Sequence, residues 1–347
     1  MWQSSSDFKL VSSRNLVISA GKERFLFDPT VIKKHWRSQN TIACISHAHT
    51  DHVAAFESSL QKIVTPPTLD IYRALGGKPR KFHPIVLGKE FPLTDGGSIQ
   101  VHPAGHMLGA AQFVLEKNGA RLVYTGDFNL ISSLTVIGAN PIQCDVLLME
   151  ATYGRPDAVF PPRERVYAEI ADWTSYELTK GKIPAFQVYA RGKAQEIIQI
   201  LNTYLTAPVV VDSTIAKVSE IYRKYDIPLE FINEHSEEGR EVMRQGGYVY
   251  ISSKILRSPK STFKHQYVRA AATGWAQLYP LKKVDRAFPL SAHADFQQLV
   301  QYVQAAKPRA VFLTCGDTVT FGAVLEKLNV KQIEPQRRRQ LDLMDFI

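Results

Sequence analysis

Three histidines and one aspartate lie within six residues of the sequence, at His47, His49, Asp51 and His52. Neutral imidazoles and carboxylates are the ligands that zinc and similar borderline ions take in proteins. A cluster that leaves coordination positions open suits hydrolysis more than a purely structural site. We therefore predict a hydrolytic metal centre on this stretch.

The apolar run Ile42–Ile45 directly precedes the cluster. It predicts a buried strand that ends where the metal loop begins. His47 and His49 are two residues apart and can point to the same side of an extended backbone. Asp51 and His52 lie on the following turn, where they can face a neighbouring ion.

Other residues of the right chemistry lie in a loop or follow apolar runs. His106 lies in a glycine-flanked loop, Asp127 and Glu150 follow two strand-like runs, and Cys315 follows the last one. Side chains at the ends of neighbouring strands converge at one edge of a sheet. The sequence therefore predicts that distant parts of the chain complete the site.

The composition is that of a soluble globular protein. The sequence is 45% hydrophobic and 22% charged, which is ordinary for this class. Its length of 347 residues favours two domains, or one domain with a large insertion. No apolar run approaches the roughly 20 residues of a membrane-spanning helix. The N-terminal residues lack the layout of a secretory signal, and three cysteines are too few for a disulfide framework. We predict a cytoplasmic protein with no membrane partner.

Positive charge favours a polyanionic partner. The net charge is +9 and the computed pI is near 9.3, which suits nucleic acid or an anionic membrane surface. A basic, aromatic-containing segment between Ile251 and Arg269 suits phosphate contacts and base stacking, although a solvated basic loop is the alternative. The candidate contacts in this segment are Lys254, Arg257, Lys260 and Lys264. Arg191 and Lys193, beside a glycine at a predicted helix start, are either a phosphate cradle or an ordinary strand-to-helix turn.

Beyond Gly154 the pattern alternates between strands and helices. One predicted helix has Ala194, Ile197 and Leu201 on one face, and Asp212 follows a valine run where it can cap another helix. This alternation predicts an inserted parallel α/β module. The expected domains are residues 1–155, an insertion over 156–266, and a completing part over 267–347.

With these residues assembled, the chain resembles the metallo-β-lactamase superfamily and, within it, the β-CASP nucleases. The signature from His47 to His52, together with His106 and Asp127, matches the ligand motifs of the superfamily. Asp28 lies where an early supporting aspartate is expected. The resemblance implies an αββα sandwich with an inserted α/β β-CASP domain.

Two further motifs resemble those that the β-CASP members add. Glu150 resembles their acidic motif, and His293 resembles their second histidine motif. The resemblance makes His293 the candidate general acid, with Glu150 orienting it. Without that context, His293 also fits a helix-start histidine, and Glu150 a strand-end acid.

The resemblance also implies a division of the ligands between two zinc ions (Zn²⁺), with Mn²⁺ as the alternative metal. Asp127 would bridge the ions and Asp51 would also be catalytic. The first ion would be held by His47, His49 and His106, and the second by Asp51 and His52. In the last motif, Cys315 stands where RNA-processing members have a histidine ligand. It is either a thiolate ligand or a small buried hydrophobic residue.

The function expected on this basis is zinc-dependent hydrolysis of nucleic acid. A DNA exonuclease is slightly favoured because the last motif lacks histidine and because the chain resembles compact prokaryotic members such as the exonucleases associated with DNA ligases. The same resemblance implies DNA-ligase or helicase partners in repair. RNA processing is the close alternative. A non-catalytic nucleic-acid-binding subunit and a small-molecule metallo-hydrolase are the remaining alternatives.

Overall fold

The computed structural model describes residues 8–12, 16–37, 40–254, 265–333 and 341–342. The chain divides into two compact units. The first unit contains the residues up to Ile131, Ile137–Pro156 and the residues from His293 onward, and the second contains Ser132–Val136 and Asp157–Ala292.

The N-terminal part of the first unit is mainly β-structure. Its elements are, in order, β1 (Lys9–Ser12), β2 (Val17–Ala20), β3 (Glu23–Phe27), β4 (Thr41–Ile45), β5 (Gln61–Val64), α1 (Pro66–Ala74), β6 (Phe82–Pro84), β7 (Glu90–Pro92), β8 (Ser98–Pro103), β9 (Ala111–Lys117), β10 (Ala120–Tyr124) and β11 (Val146–Ala151). A 3-10 turn spans Lys34–Arg37. Proline occupies the start of α1, where its missing N–H has no helical partner to lose.

The second unit alternates helices and strands, as the sequence predicts. Its elements are, in order, α2 (Arg163–Thr179), β12 (Ile183–Gln187), α3 (Lys193–Tyr204), β13 (Val209–Val211), α4 (Ser213–Lys224), β14 (Ile232–Asn233), α5 (Glu237–Gln245), β15 (Val249–Ser252), β16 (Tyr267–Ala272) and β17 (Arg286–Phe288). The strand order is β14-β13-β15-β12-β16-β17, with parallel pairing. Asp212 caps α4 by accepting hydrogen bonds from the N–H groups of Thr214 at 2.8 Å and Ile215 at 2.9 Å.

The structure corrects the second expected domain boundary. The sequence predicts that the first domain resumes at residue 267. In the structure, β16 instead pairs with β12, from Ile183↔Tyr267 to Gln187↔Ala271. The backbone hydrogen bonds of β16 are therefore satisfied inside the sheet of the second unit. The chain re-enters the first unit only at His293.

After this return the first unit is completed by α6 (Phe296–Ala306), β18 (Ala310–Gly316), α7 (Thr318–Lys327), β19 (Lys331–Gln332) and β20 (Leu341–Asp342). One sheet of this unit has the order β20-β1-β2-β3-β4-β5-β6, and the other β19-β18-β11-β10-β9-β8-β7. β18 pairs with β11 in parallel. Residues from distant parts of the sequence therefore meet at the end of one sheet.

The two sheets of the first unit pack face to face. Phe27 of the first sheet lies 6.1 Å from Phe113 and 4.9 Å from Tyr124 of the second, measured between ring centroids. Leu69 of α1 packs on the other face of the first sheet, and Tyr302 of α6 donates a hydrogen bond to Gln112 of β9. This arrangement confirms the predicted αββα sandwich. Within the described residues, no helix has the length and apolar character needed to cross a bilayer.

Candidate metal centre

The loop after β4 carries four of the candidate ligands. β4 is buried along its whole length, and His47 beyond its end is 0% exposed. His49 and His52 are half-buried, and Asp51 is exposed. The loop therefore runs from the core to the surface, so its inner histidine is fixed by packing while its outer carboxylate contacts water.

Asp28, directly after β3, holds this loop in place. One of its carboxylate oxygens accepts the N–H of Ser46 at 2.7 Å. The other accepts the Ser46 hydroxyl, the Tyr124 hydroxyl at 2.9 Å and Nδ1 of His52 at 2.7 Å. An ionised carboxylate only accepts, so Nδ1 of His52 carries the proton of this bond and Nε2 is oriented for a ligand.

Four side chains converge on one position near this loop. Nδ1 of His49 lies 3.0 Å from Nε2 of His47 and 3.2 Å from Nε2 of His106. Oδ2 of Asp127 lies 3.4 Å from Nε2 of His47 and 3.8 Å from Nε2 of His106. The potential ligand atoms of this group all lie within 4.8 Å of one another.

Glycine brings the strand end that carries Asp127 close to the histidine loop. Gly126 has a φ of +56°, and an added Cβ would lie 2.8 Å from Cβ of Ser46. A side chain there would both strain the backbone and push the two loops apart. The glycine is therefore needed to position Asp127.

The four-residue group fits a metal ion. Ligand atoms about 2.0 to 2.1 Å from a tetrahedral zinc ion are about 3.3 Å apart, and the observed separations of 3.0 to 3.8 Å bracket that value. Burial lowers the pKa of His47 well below its ordinary value, and the neighbouring histidines lower it further. His47 is therefore the neutral imidazole that metal ligation requires.

A second pair of candidate ligands adjoins this group. Nε2 of His52 lies 3.4 Å from Oδ2 of Asp51 and 3.5 Å from Oδ2 of Asp127. Burial alone would lower the pKa of His52, but the carboxylates of Asp28 and Asp127 outweigh it and raise the pKa to about 11. Ligation of a cation at this nitrogen would therefore release a proton.

Cys315 does not join the converging ligand atoms. Within the described residues, the groups of three or more potential ligands include neither Cys315 nor Asp51. Cys315 lies near the end of β18 and its residue is exposed, while burial of the thiol and the carboxylates of Glu150 and Asp127 raise its pKa. Its role as a ligand and the alternative of a small apolar residue both stay predictions.

We expect Cys315→Ser to leave the metal content unchanged and turnover within about twofold of the wild type, because the thiol lies outside the converging ligand groups. Metal analysis after dialysis, together with hydrolysis rates at limiting metal, checks this. His52→Ala is the matched comparison, since the same measurements should fall sharply. Loss of one ion in the serine variant would instead make Cys315 a ligand.

A buried acid and a histidine pair beside the metal ligands. Glu150, in β11, is 1% exposed and accepts hydrogen bonds from the N–H of Phe128 at 2.8 Å and the hydroxyl of Thr152. Nδ1 of His293 lies 3.0 and 2.9 Å from its two carboxylate oxygens. Nε2 of His293 lies 4.0 Å from Oδ2 of Asp127.

Glu150 and His293 each shift the pKa of the other so that both are charged. Burial would raise the pKa of Glu150, but His293 outweighs it and holds that pKa below the ordinary value. Burial would lower the pKa of His293, but Glu150 and Asp127 raise it to about 9. The pair is therefore a carboxylate with an imidazolium at neutral pH, and its histidine can donate a proton.

The predicted substrate-binding residues do not form a single cluster within the described part of the chain. Arg191 is half-buried and Lys254 is exposed. The predicted contacts Arg257, Lys260 and Lys264 lie outside the described residues.

Lys193 lies in a buried ionic cluster. Its Nζ donates to Glu196 Oε2 at 3.1 Å, and Arg163 donates both to Glu196 and to the Ser291 carbonyl at 2.8 Å. The hydroxyl of Tyr167 donates to the same glutamate at 2.8 Å. Lys193 is 6% exposed, so this arrangement favours the structural alternative over a phosphate cradle.

We expect Glu196→Gln to lower the free energy of unfolding by about 3 to 5 kcal/mol at neutral pH, because Arg163 and Lys193 would remain as buried cations without a counter-charge. Denaturant unfolding measures this. Glu220→Gln, which disrupts an exposed pair with Arg223, is the matched control and should cost under about 1 kcal/mol.

The effect of Glu196 should depend on pH. Burial would raise its pKa, but Arg163 and Lys193 outweigh it and lower the pKa. Its contribution is therefore complete above the ordinary glutamate pKa and is lost as pH falls through the lowered value. The difference between wild type and variant should shrink in acid, and a constant difference would contradict an ionic origin.

Sequence reasoning missed several supporting residues. Tyr124 donates to Asp28, Thr152 donates to Glu150, and Asn129 donates from its side-chain amide to the His293 carbonyl at 2.9 Å. Each lies within two residues of a strand end or of a predicted site residue. Polar side chains at such positions were the available signal.

The fold and the site together define a class of protein. A sequence model of the beta-lactamase superfamily domain matches residues 14–192. The chain belongs to this superfamily, and the predicted relationship to the β-CASP nucleases is confirmed.

Named relatives come from several lineages. The chain is 30% identical to a "Probable DNA ligase" of Opitutus terrae, over 86% of this chain and 29% of that protein. It is 26% identical to an "RNase J-like protein" of Methanocaldococcus jannaschii, over 79% of this chain and 80% of that protein. It is also 26% identical to "Cleavage and polyadenylation specificity factor subunit 3" of Dictyostelium discoideum, over 83% of this chain and 47% of that protein.

A solved structure shares the fold. The similarity to a protein of unknown function from Enterococcus faecalis has a TM-score of 0.66 at 14% identity, and covers 96% of this chain and 97% of the other. At this identity the match establishes the fold alone. The chain spans less than a third of the ligase relative and under half of the polyadenylation-factor relative.

Proposed function

We propose that this protein is a metal-dependent nuclease that hydrolyses phosphodiester bonds. The observation that carries the proposal is the Glu150–His293 pair, whose imidazole lies 4.0 Å from Asp127 at the edge of the ligand group. A metal centre alone fits many hydrolases. A buried acid and a protonated histidine beside it add the proton donor that a poor leaving oxygen requires.

The ligands would be divided between two ions, for which we propose Zn²⁺, with Mn²⁺ as the alternative. His47, His49 and His106 would hold one ion, Asp51 and His52 the other, and Asp127 would contact both. Bound ions in such a site supply an activated water and neutralise charge on the phosphate. Asp51, the most exposed of these ligands, would lie at the solvent side of the site.

His293 would act as the general acid toward the leaving oxygen. Its Nδ1 is held by both oxygens of Glu150, so a proton delivered to the substrate would come from Nε2. Glu150 is in turn held by Phe128 and Thr152. The carboxylate therefore orients the imidazole and stabilises its charge before the proton is transferred.

We propose nucleic acid as the substrate and favour DNA slightly. The "Probable DNA ligase" relative supports DNA and a repair context beside a ligase, and the net charge of +9 suits either polymer. A helicase partner rests on the family resemblance alone. RNA processing is the second candidate, favoured by the "RNase J-like protein" relative, which this chain matches over 80% of its length. A cytoplasmic location fits both.

The test is hydrolysis of end-labelled single- and double-stranded DNA and RNA with zinc or manganese. We expect cleavage of at least one polymer, and none by Asp51→Ala or His52→Ala. Products that grow from one end would indicate an exonuclease, and internal cuts an endonuclease. Full metal occupancy without cleavage of any polymer would overturn the proposal and favour a binding subunit. Turnover of small esters alone would favour a small-molecule hydrolase.

A further inference from the structure

Two aromatic side chains form an exposed pair in the second unit. Trp275 belongs to a 3-10 turn over Gly274–Gln277, and its ring lies 6.0 Å from the ring of Tyr279 at an interplanar angle of 27°. Trp275 is 41% exposed and Tyr279 is 48% exposed. Trp and Tyr combine a large apolar ring with a polar group and are enriched at interaction surfaces, so an exposed pair of these rings is a candidate binding surface.

Two lysines follow this pair in the sequence, before Asp285. No acidic residue occurs from Trp275 to Val284, and Lys282 and Lys283 within this stretch are both exposed. Two residues separate Tyr279 from Lys282. Aromatic rings for bases and cations for phosphates are the two components of single-strand binding surfaces.

A cavity adjoins the same turn. It has a volume of about 490 Å³, and Gln277, between the two aromatic residues in sequence, lines it. Its other walls include the apolar residues Phe160 and Pro289 and the polar residues Arg165 and Glu169. This size lies within the range of small-ligand sites. Arg165 donates from Nε to Glu169 at 3.1 Å, so the groups that can pair with the edge of a base are the amide of Gln277 and the other N–H groups of the guanidinium.

We propose that this surface binds unpaired bases of single-stranded nucleic acid. Bases stack on Trp275 and Tyr279, Lys282 and Lys283 contact the phosphates, and the cavity beside Gln277 receives the edge of one base. The inference rests on the proposed function, which supplies nucleic acid as the substrate. Bases in a duplex are already stacked on one another, so the surface discriminates in favour of single strands.

The test compares strands with and without bases. Affinities for a labelled oligothymidylate, an oligouridylate and an abasic strand of equal length are measured in the Asp51→Ala background, so that no strand is cut. We expect Trp275→Ala and Tyr279→Ala each to weaken binding of base-bearing strands by about tenfold. Abasic binding should change less than about twofold. The two base-bearing strands separate DNA from RNA as the source of the bases.

Two further variants sharpen the test. Lys282→Ser with Lys283→Ser should weaken every strand and reduce the slope of log affinity against log salt by about 1.4, at about 0.7 per lost phosphate contact. Tyr204→Ala removes a ring of similar exposure, 49%, at the end of α3 and should change nothing. Thermal unfolding confirms that each variant is folded.

Different results would contradict the base-binding surface and the proposed nuclease activity. Equal affinity of the wild type for base-bearing and abasic strands, or unchanged affinity in both aromatic variants, would overturn the surface even if the protein cuts nucleic acid. Loss of base-dependent binding in the variants would uphold the surface even if no polymer is cut. In that case only the proposal of nuclease activity would be contradicted.

Discussion

Asp127→Asn is expected to lower both the metal content and the rate of phosphodiester hydrolysis, the rate by about a thousandfold or more. Oδ2 of Asp127 faces both ligand sets, at 3.4 Å from Nε2 of His47 and 3.5 Å from Nε2 of His52. Asparagine keeps the size of the side chain but removes its charge. It also replaces one possible ligand oxygen with an amide donor.

The measurement is metal content after dialysis, followed by cleavage of a labelled strand at saturating metal. Asp145→Asn is the matched control, because that carboxylate accepts the N–H of Arg121 at 2.9 Å and belongs to none of the ligand groups among the described residues. It should keep full metal content and activity. Wild-type metal content and rate in Asp127→Asn would remove Asp127 from the site.

The convergence of the site could be predicted because it follows from strand ends. β10 and β11 are parallel neighbours, as are β11 and β18, so Asp127, Glu150 and Cys315 lie near the same end of one sheet. The rule is local: an apolar run stops and a polar residue follows. It needs no knowledge of which strand pairs with which, provided that the strands are parallel.

The domain boundary near residue 267 and the role of Lys193 could not be predicted from the sequence, because each depends on contacts between residues that are far apart in the chain. β16 alternates between half-buried and buried residues from Tyr267 to Ala272. Such an alternation fits a strand of either unit, so the sequence does not show that β16 pairs with β12 and β17. Lys193 precedes Glu196 by three residues, and this spacing places them one helical turn apart. That spacing was a signal for an ion pair, but only the structure shows that Arg163 completes a buried cluster.

The hydrogen bonds of Asp28 also could not be predicted from the sequence, because its partners are distant along the chain. Its three partner residues, Ser46, His52 and Tyr124, are 18 to 96 residues away. An aspartate with a φ of +40° adopts a backbone conformation that few non-glycine residues take. The sequence places an aspartate there by resemblance, whereas the contacts explain why a carboxylate is required.

His293→Ala is expected to slow cleavage of a nucleic-acid strand by about 100- to 10,000-fold, the range for loss of a general acid or base. The departing oxygen of a nucleic-acid strand is an alkoxide, which is a poor leaving group without a proton. Hydrolysis of bis(4-nitrophenyl) phosphate should slow far less, because nitrophenolate departs without protonation. Comparison of the two substrates in one variant is therefore the decisive measurement.

Glu150→Gln should show the same selectivity in weaker form. The variant keeps the acceptor oxygen that can hold Nδ1 of His293 but removes the negative charge that raises the pKa of the imidazole. Less of the histidine is then protonated at neutral pH, so strand cleavage falls while nitrophenyl ester hydrolysis is largely retained. His235→Ala, at an exposed histidine, is the control and should change neither rate. If His293→Ala slowed both substrates equally, the histidine would serve the metal centre or its geometry rather than the leaving oxygen, because only proton donation distinguishes the two leaving groups.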